Sequence, residues 1–107
     1  MFRTLTIAAL TVAAIAVTAA VRNPSLATGM LTCESGDKSG WLTEEALTEK
    51  ITAEGWQVNR IKEDGGCWEV YGVTPDGQRA EAYFHPVTGE NLLIAQRGRI
   101  LYKAEGY

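Results

Sequence analysis

The sequence predicts an α+β fold: one helix packed on a three- to four-stranded antiparallel sheet, after an N-terminal signal or anchor helix. Three observations lead to this. The stretch from Trp41 to Gly55 carries the punctuation of a helix, the apolar pattern beyond Gly55 changes from helical to alternating, and the alternating runs are cut at short intervals by turn residues. A chain of 107 residues with 46% apolar and 21% charged content has the balance of a single small domain. Its net charge of −3 and pI near 5.1 lack the basic footprint of a nucleic-acid binder.

The first element is the apolar run Leu5 to Val21, built only from Leu, Ile, Val, Ala and Thr, with Arg3 before it and Arg22 directly after. A basic start, an apolar run and small residues beyond it are the pattern of an export signal over residues 1–27. Cleavage is expected after Ala27, with Ser25 at −3; the alternative is after Ala20, with Thr18 at −3. The competing reading keeps the segment as an uncleaved membrane anchor, since its 17 residues approach the roughly 17 to 25 that span a bilayer. Met30, Leu31 and Thr32 before Cys33 are not the small residues expected ahead of a lipidated cysteine.

Cleavage after Ala27 removes Arg3 and Arg22 and no acid, leaving eight basic residues against thirteen acidic, a net −5. A domain of about 80 residues has a marginal core, and a covalent staple strengthens it. Cys33 and Cys67 form an even pair in an exported chain, so a disulfide is expected. It closes a loop of about 35 residues, worth roughly 3 to 4 kcal/mol on the chain-entropy account. A redox or metal role is disfavoured, because there is no C-x-x-C and no second ligand cluster. Residues 28–40, rich in Gly, Ser, Thr and charge, read as a linker fastened at Cys33, ahead of a domain over residues 41–107.

A helix is expected from Glu44 to Glu54, with Thr43 as N-cap, Glu44 and Glu45 in the first turn, and Gly55 after the last periodic residue. Leu42 and Leu47 then occupy the positions of a hydrophobic staple, and Ile51 and Trp56 those that touch in a Schellman ending. Ala46, Leu47 and Ile51, with the stem of Lys50, form the buried stripe, while Glu45, Thr48, Glu49 and Thr52 face water.

Strands follow over Gln57 to Lys62, Cys67 to Val73 and Arg79 to His85, separated by Glu63-Asp64-Gly65-Gly66 and Thr74-Pro75-Asp76-Gly77. The second turn suits type I with a G1 bulge. Alternation directs Val58, Trp68, Val70, Ala80, Ala82 and Phe84 at the helix and Glu69, Arg79 and Glu81 away from it. Ile61 breaks the parity of Trp56 and Val58, so a bulge or early strand end is expected near Arg60. A fourth strand falls on Leu92, Leu93 and Ile94; whether Arg99 to Lys103 returns across Arg97-Gly98 stays open.

Trp41-Leu42-Thr43-Glu44-Glu45-Ala46, Glu54-Gly55-Trp56, Gly66-Cys67-Trp68-Glu69-Val70-Tyr71, Asp76-Gly77 and Tyr83-Phe84-His85-Pro86-Val87-Thr88-Gly89-Glu90 together resemble the PepSY domain, in the form of the small exported PepSY-like proteins of Gram-negative bacteria. The likeness covers about half the chain, and the segment closing on Thr88-Gly89-Glu90 is its best marker. The resemblance implies a helix on an antiparallel sheet and an inhibitory or regulatory role toward peptidases, and brings no catalytic residue. The chain departs from the family pattern at His85, where Asp is usual.

The residues themselves offer little chemistry. Ser25, Ser35 and Ser39 all precede the helix, and His85 is the only histidine, so a Ser-His-Asp set would need the linker to fold back. His85, Glu90 and Asp76 have metal-ligand types without ligand spacing. Gly65-Gly66 and Gly77 serve backbone conformation rather than phosphate binding, since they open no helix. No enzyme, metal or cofactor is therefore expected.

What remains is contact. Trp56 and Trp68 are expected in the core and Trp41 at the surface, so Trp41, Tyr83, His85 and Glu90 are the candidate partner surface. Arg97, Arg99 and Lys103 beside Ile100, Leu101 and Tyr102 read either as a contact for a membrane or acidic partner or as an edge strand with solvated charges. The expectation is a non-enzymatic exported module, periplasmic or secreted, that binds a protein partner, a peptidase by the resemblance. The alternative is an accessory or scaffold subunit anchored in the inner membrane by an uncleaved N-terminal helix, the one case that gives membrane contact.

Overall fold

A computed structural model describes residues 29–107; the signal or anchor segment and its cleavage positions lie outside the described residues. A 3₁₀ turn over Lys38–Gly40 leads into helix α1, Glu44–Ala53. Five strands follow: β1 Gln57–Asp64, β2 Cys67–Val73, β3 Arg79–Phe84, β4 Asn91–Gln96 and β5 Arg99–Lys103. They form one sheet in the order β1-β2-β3-β4-β5, with every neighbouring pair antiparallel. The sheet thus has five strands, not three or four. The fifth forms because Arg97 and Gly98 both take positive φ, 53° and 83°, the pairing that a two-residue type I′ hairpin requires. Arg97 is an unusual residue there, which is why the turn carries little signal in the sequence.

The helix ends follow their residues. Thr43 accepts the amide of Ala46 on its side chain. At the other end Trp56 N donates to Ile51 O and Gly55 N to Thr52 O, both at 3.0 Å, the paired bonds of a Schellman motif. Helix α1 closes one residue earlier than expected, with Glu54 as its C-cap.

Helix α1 covers one face of the sheet. Leu47, Ile51, Trp56, Val70, Ala82 and Phe84 are buried there, with Leu42, Val58, Ile61, Trp68 and Ile94 packed around them. Trp56 meets Phe84 edge-on, ring centres 5.3 Å apart. The irregularity expected near Arg60 is a bulge in β1 between Val58 and Arg60. It restores the parity that Ile61 breaks, so both Val58 and Ile61 join the helix-side core.

The opposite face has a core of its own, formed by Leu31, Cys33, Cys67, Tyr83, Leu92, Leu93, Ala95 and Ala104, with Met30 against it. The beginning of the segment read as a linker therefore lies on the sheet and contributes side chains to it. Cys33 is bonded to Cys67, with Cα atoms 5.1 Å apart, and Cys33 N donates to Gly65 O at 2.8 Å. The turn must be bare for this arm to approach: a Cβ at Gly66, where φ is 81°, would stand 2.6 Å from Cys33 O.

Candidate functional site

The turn from His85 to Glu90 is closed by its own bonds. His85 N donates to Glu90 O at 2.9 Å and Gly89 N to His85 O at 2.8 Å. Val87 N donates to His85 Nδ1 at 3.1 Å, so that ring nitrogen is committed as an acceptor. The turn docks on the start of α1 through Leu42 N to Pro86 O, 2.7 Å, and through Lys50 Nζ to Gly89 O, 3.3 Å. Trp41 sits beside this junction, half-buried and edge-on to Trp68 at 5.4 Å, its indole N–H shared between Ser35 O and Gly36 O. The structure thus gathers Trp41, His85 and Glu90 at one end of the domain. Their polar atoms hold the corner together, and Glu90 is the exposed member.

Tyr83 is not part of that surface. It is fully buried on the opposite face, where its hydroxyl donates to Asp64 Oδ2 at 2.6 Å and accepts from Met30 N at 3.3 Å. Burial first, and then the carboxylate of Asp64, raise its pKa above the ordinary phenol value. One-residue parity explains the correction: Phe84 faces α1, so Tyr83 must face the N-terminal arm, which the sequence did not place there.

The same face holds two carboxyls that alternation directed away from the helix. Glu69 is fully buried, and neither of its oxygens has a hydrogen bond of good geometry; Glu81 Oε1 is also buried without one. Lys62 Nζ stands 3.9 Å from Glu69 Oε1, at the limit of an ion pair. Desolvation raises the pKa of both carboxyls, opposed at Glu69 by Tyr71 and Lys62 and reinforced by Asp64 and Glu81. Asp76 lies apart in the β2–β3 turn, held below its ordinary pKa mainly by the Thr74 hydroxyl. Among the described residues no group of three His, Cys, Asp or Glu side chains is placed to hold a metal. Ser35 Oγ donates to Gly66 O at 2.8 Å, a bond that fastens the arm.

The remaining feature is the β5 edge of the sheet, whose other edge strand is β1. Every residue of β5 is exposed, and Ile100, Leu101 and Tyr102 keep 47%, 38% and 45% of their surface in water. A bulge opposite Ile94 and Ala95 inserts Leu101 into β5. Leu101 and Tyr102 join Ile94, Pro75 and the neck of the β2–β3 turn in lining a groove of about 330 Å³ on the helix-side face. Exposed Arg97, Arg99 and Lys103 lie along this edge, and Arg79, Arg97 and Arg99 gather around the β4–β5 turn. Four of the eight basic residues beyond residue 28 are therefore at one margin of an acidic protein. The exposed Glu44, Glu45 and Glu49 lie on α1, which covers the sheet from β1.

Comparison with models of protein families matches residues 6–93 to the PepSY model described as peptidase propeptide and YPEB domain. Neither curated proteins nor solved structures gave a match.

Proposed function

The chain belongs to the PepSY family, peptidase propeptide and YPEB domain, and from that premise we propose that it is a non-enzymatic interaction module of the cell envelope that restrains or regulates a peptidase by contact. The observation that carries the reading is the open β5 edge, a strand exposed from end to end that gathers three of the large exposed apolar side chains, Ile100, Leu101 and Tyr102, on consecutive residues. Such an edge can accept another strand, and the fold supplies a rigid support for it. Export is supported by the Cys33–Cys67 bridge, of a kind that persists in oxidising compartments. The work of the domain is binding, without metal or cofactor.

The test is isolation of the full chain from intact envelope with whatever it holds, the partner being identified by mass and assayed for peptide hydrolysis with and without added chain. A peptidase slowed by the chain is the expected result. Hydrolysis by the purified chain itself, or a complex containing no peptidase, contradicts the reading.

A further inference from the structure

Resting on the reading of the protein as a contact module, we propose that the β5 edge binds an extended acidic peptide segment of its partner as a sixth, antiparallel strand. The edge offers alternate backbone N–H and C=O groups that β4 does not use. On either side of that row stand Ile100, Leu101 and Tyr102, side chains that burial by an added strand would remove from water. The neighbouring groove, lined by Pro75, Ile94, Leu101 and Tyr102, gives one apolar side chain of the incoming strand a place to enter.

Charge identifies the occupant. Within the strand, a second copy paired antiparallel about Leu101 would lay Arg99 of each chain against Lys103 of the other, like charge against like at both ends of β5. The chain's own first 28 residues carry Arg3 and Arg22 and no acid, so they do not complement the edge either. A strand with carboxylates near its ends and small apolar residues between them sets them against Arg99 and Lys103 and complements the Arg99-Ile100-Leu101-Tyr102-Lys103 sequence. The bulge at Leu101 and the flanking cations, devices that keep an edge from pairing with itself, leave this one kind of partner favoured.

The test titrates the full, disulfide-bonded chain with capped Glu-Val-Thr-Val-Glu, and separately with capped Lys-Val-Thr-Val-Lys, following backbone amide exchange. The acidic peptide should saturate, slow exchange across residues 99–103, and bind roughly tenfold more tightly than the basic one, with the difference shrinking as salt is raised. The R97E/R99E/K103E variant, changed only at exposed positions, should keep its fold and reverse the preference. Equal binding of both peptides, protection elsewhere on the molecule, protection by a second copy without peptide, or binding to anionic vesicles in place of the peptide would overturn the proposal. Peptidase capture persisting in the charge-reversed variant would leave the contact function standing and remove β5 as its site. Peptide binding without any captured peptidase would do the reverse.

Discussion

Glu69 is the residue whose chemistry departs most from its surroundings. Its two buried oxygens have no well-formed hydrogen bond, with the Tyr71 hydroxyl only loosely placed, and Lys62 Nζ is 3.9 Å away. The folded state therefore holds the carboxyl proton more tightly than the unfolded chain does. Between the ordinary carboxylate value and the raised one, the native protein binds more protons, so stability falls as pH rises through that window and is recovered on acidification. Glu81 acts in the same direction. Urea midpoints should therefore rise as pH falls toward the ordinary carboxylate value. E69Q removes the charge that burial penalises, so it should reduce that slope and raise stability at neutral pH relative to the ionised carboxyl. An unchanged slope would show that water or Lys62 already satisfies the carboxylate.

Among the elements, α1 and the first three strands were legible from residue types alone. Thr43, Gly55 and the Ile51–Trp56 pair act through local bonds whose geometry depends on neighbours in the sequence, and those bonds are present. The bulge in β1 was legible too, because a break in alternation is a local signal. Two elements were not. Strand β5 depends on Arg97 taking positive φ, which its residue type does not announce. The arm over residues 29–33 has no periodicity of its own and is placed by long-range partners: the bridge to Cys67, the Gly65 carbonyl and the Asp64–Tyr83 pair. Tyr83 therefore reads as a surface residue from the sequence, since nothing local says that an arm covers it. Replacing both Cys33 and Cys67 by Ser should lower stability by roughly 3 to 4 kcal/mol in urea unfolding and expose the arm to limited proteolysis. A protein that keeps its midpoint and its resistance would show that packing of Leu31 alone holds the arm.

At the scale of the molecule, two small cores on opposite faces of one sheet leave β5 as the least protected element. Helix α1 carries the exposed Glu44, Glu45 and Glu49, while Arg97, Arg99 and Lys103 mark β5 and Arg79 of β3 joins Arg97 near the β4–β5 turn. Basic residues also stand on β1, at Arg60 and Lys62, so the contrast in charge is between the exposed side of α1 and the β5 strand. The family model that the chain matches is described as a peptidase propeptide and YPEB domain, and the proposed contact falls on the β5 edge. Site-specific photocrosslinking in intact envelope joins the two: a crosslinker carried at Leu101, and at Glu49 as the control on the α1 side. The account predicts one discrete adduct from Leu101, identified by mass as a peptidase, and none from Glu49. An adduct formed equally from both positions, or one from Leu101 that contains no peptidase, would contradict it.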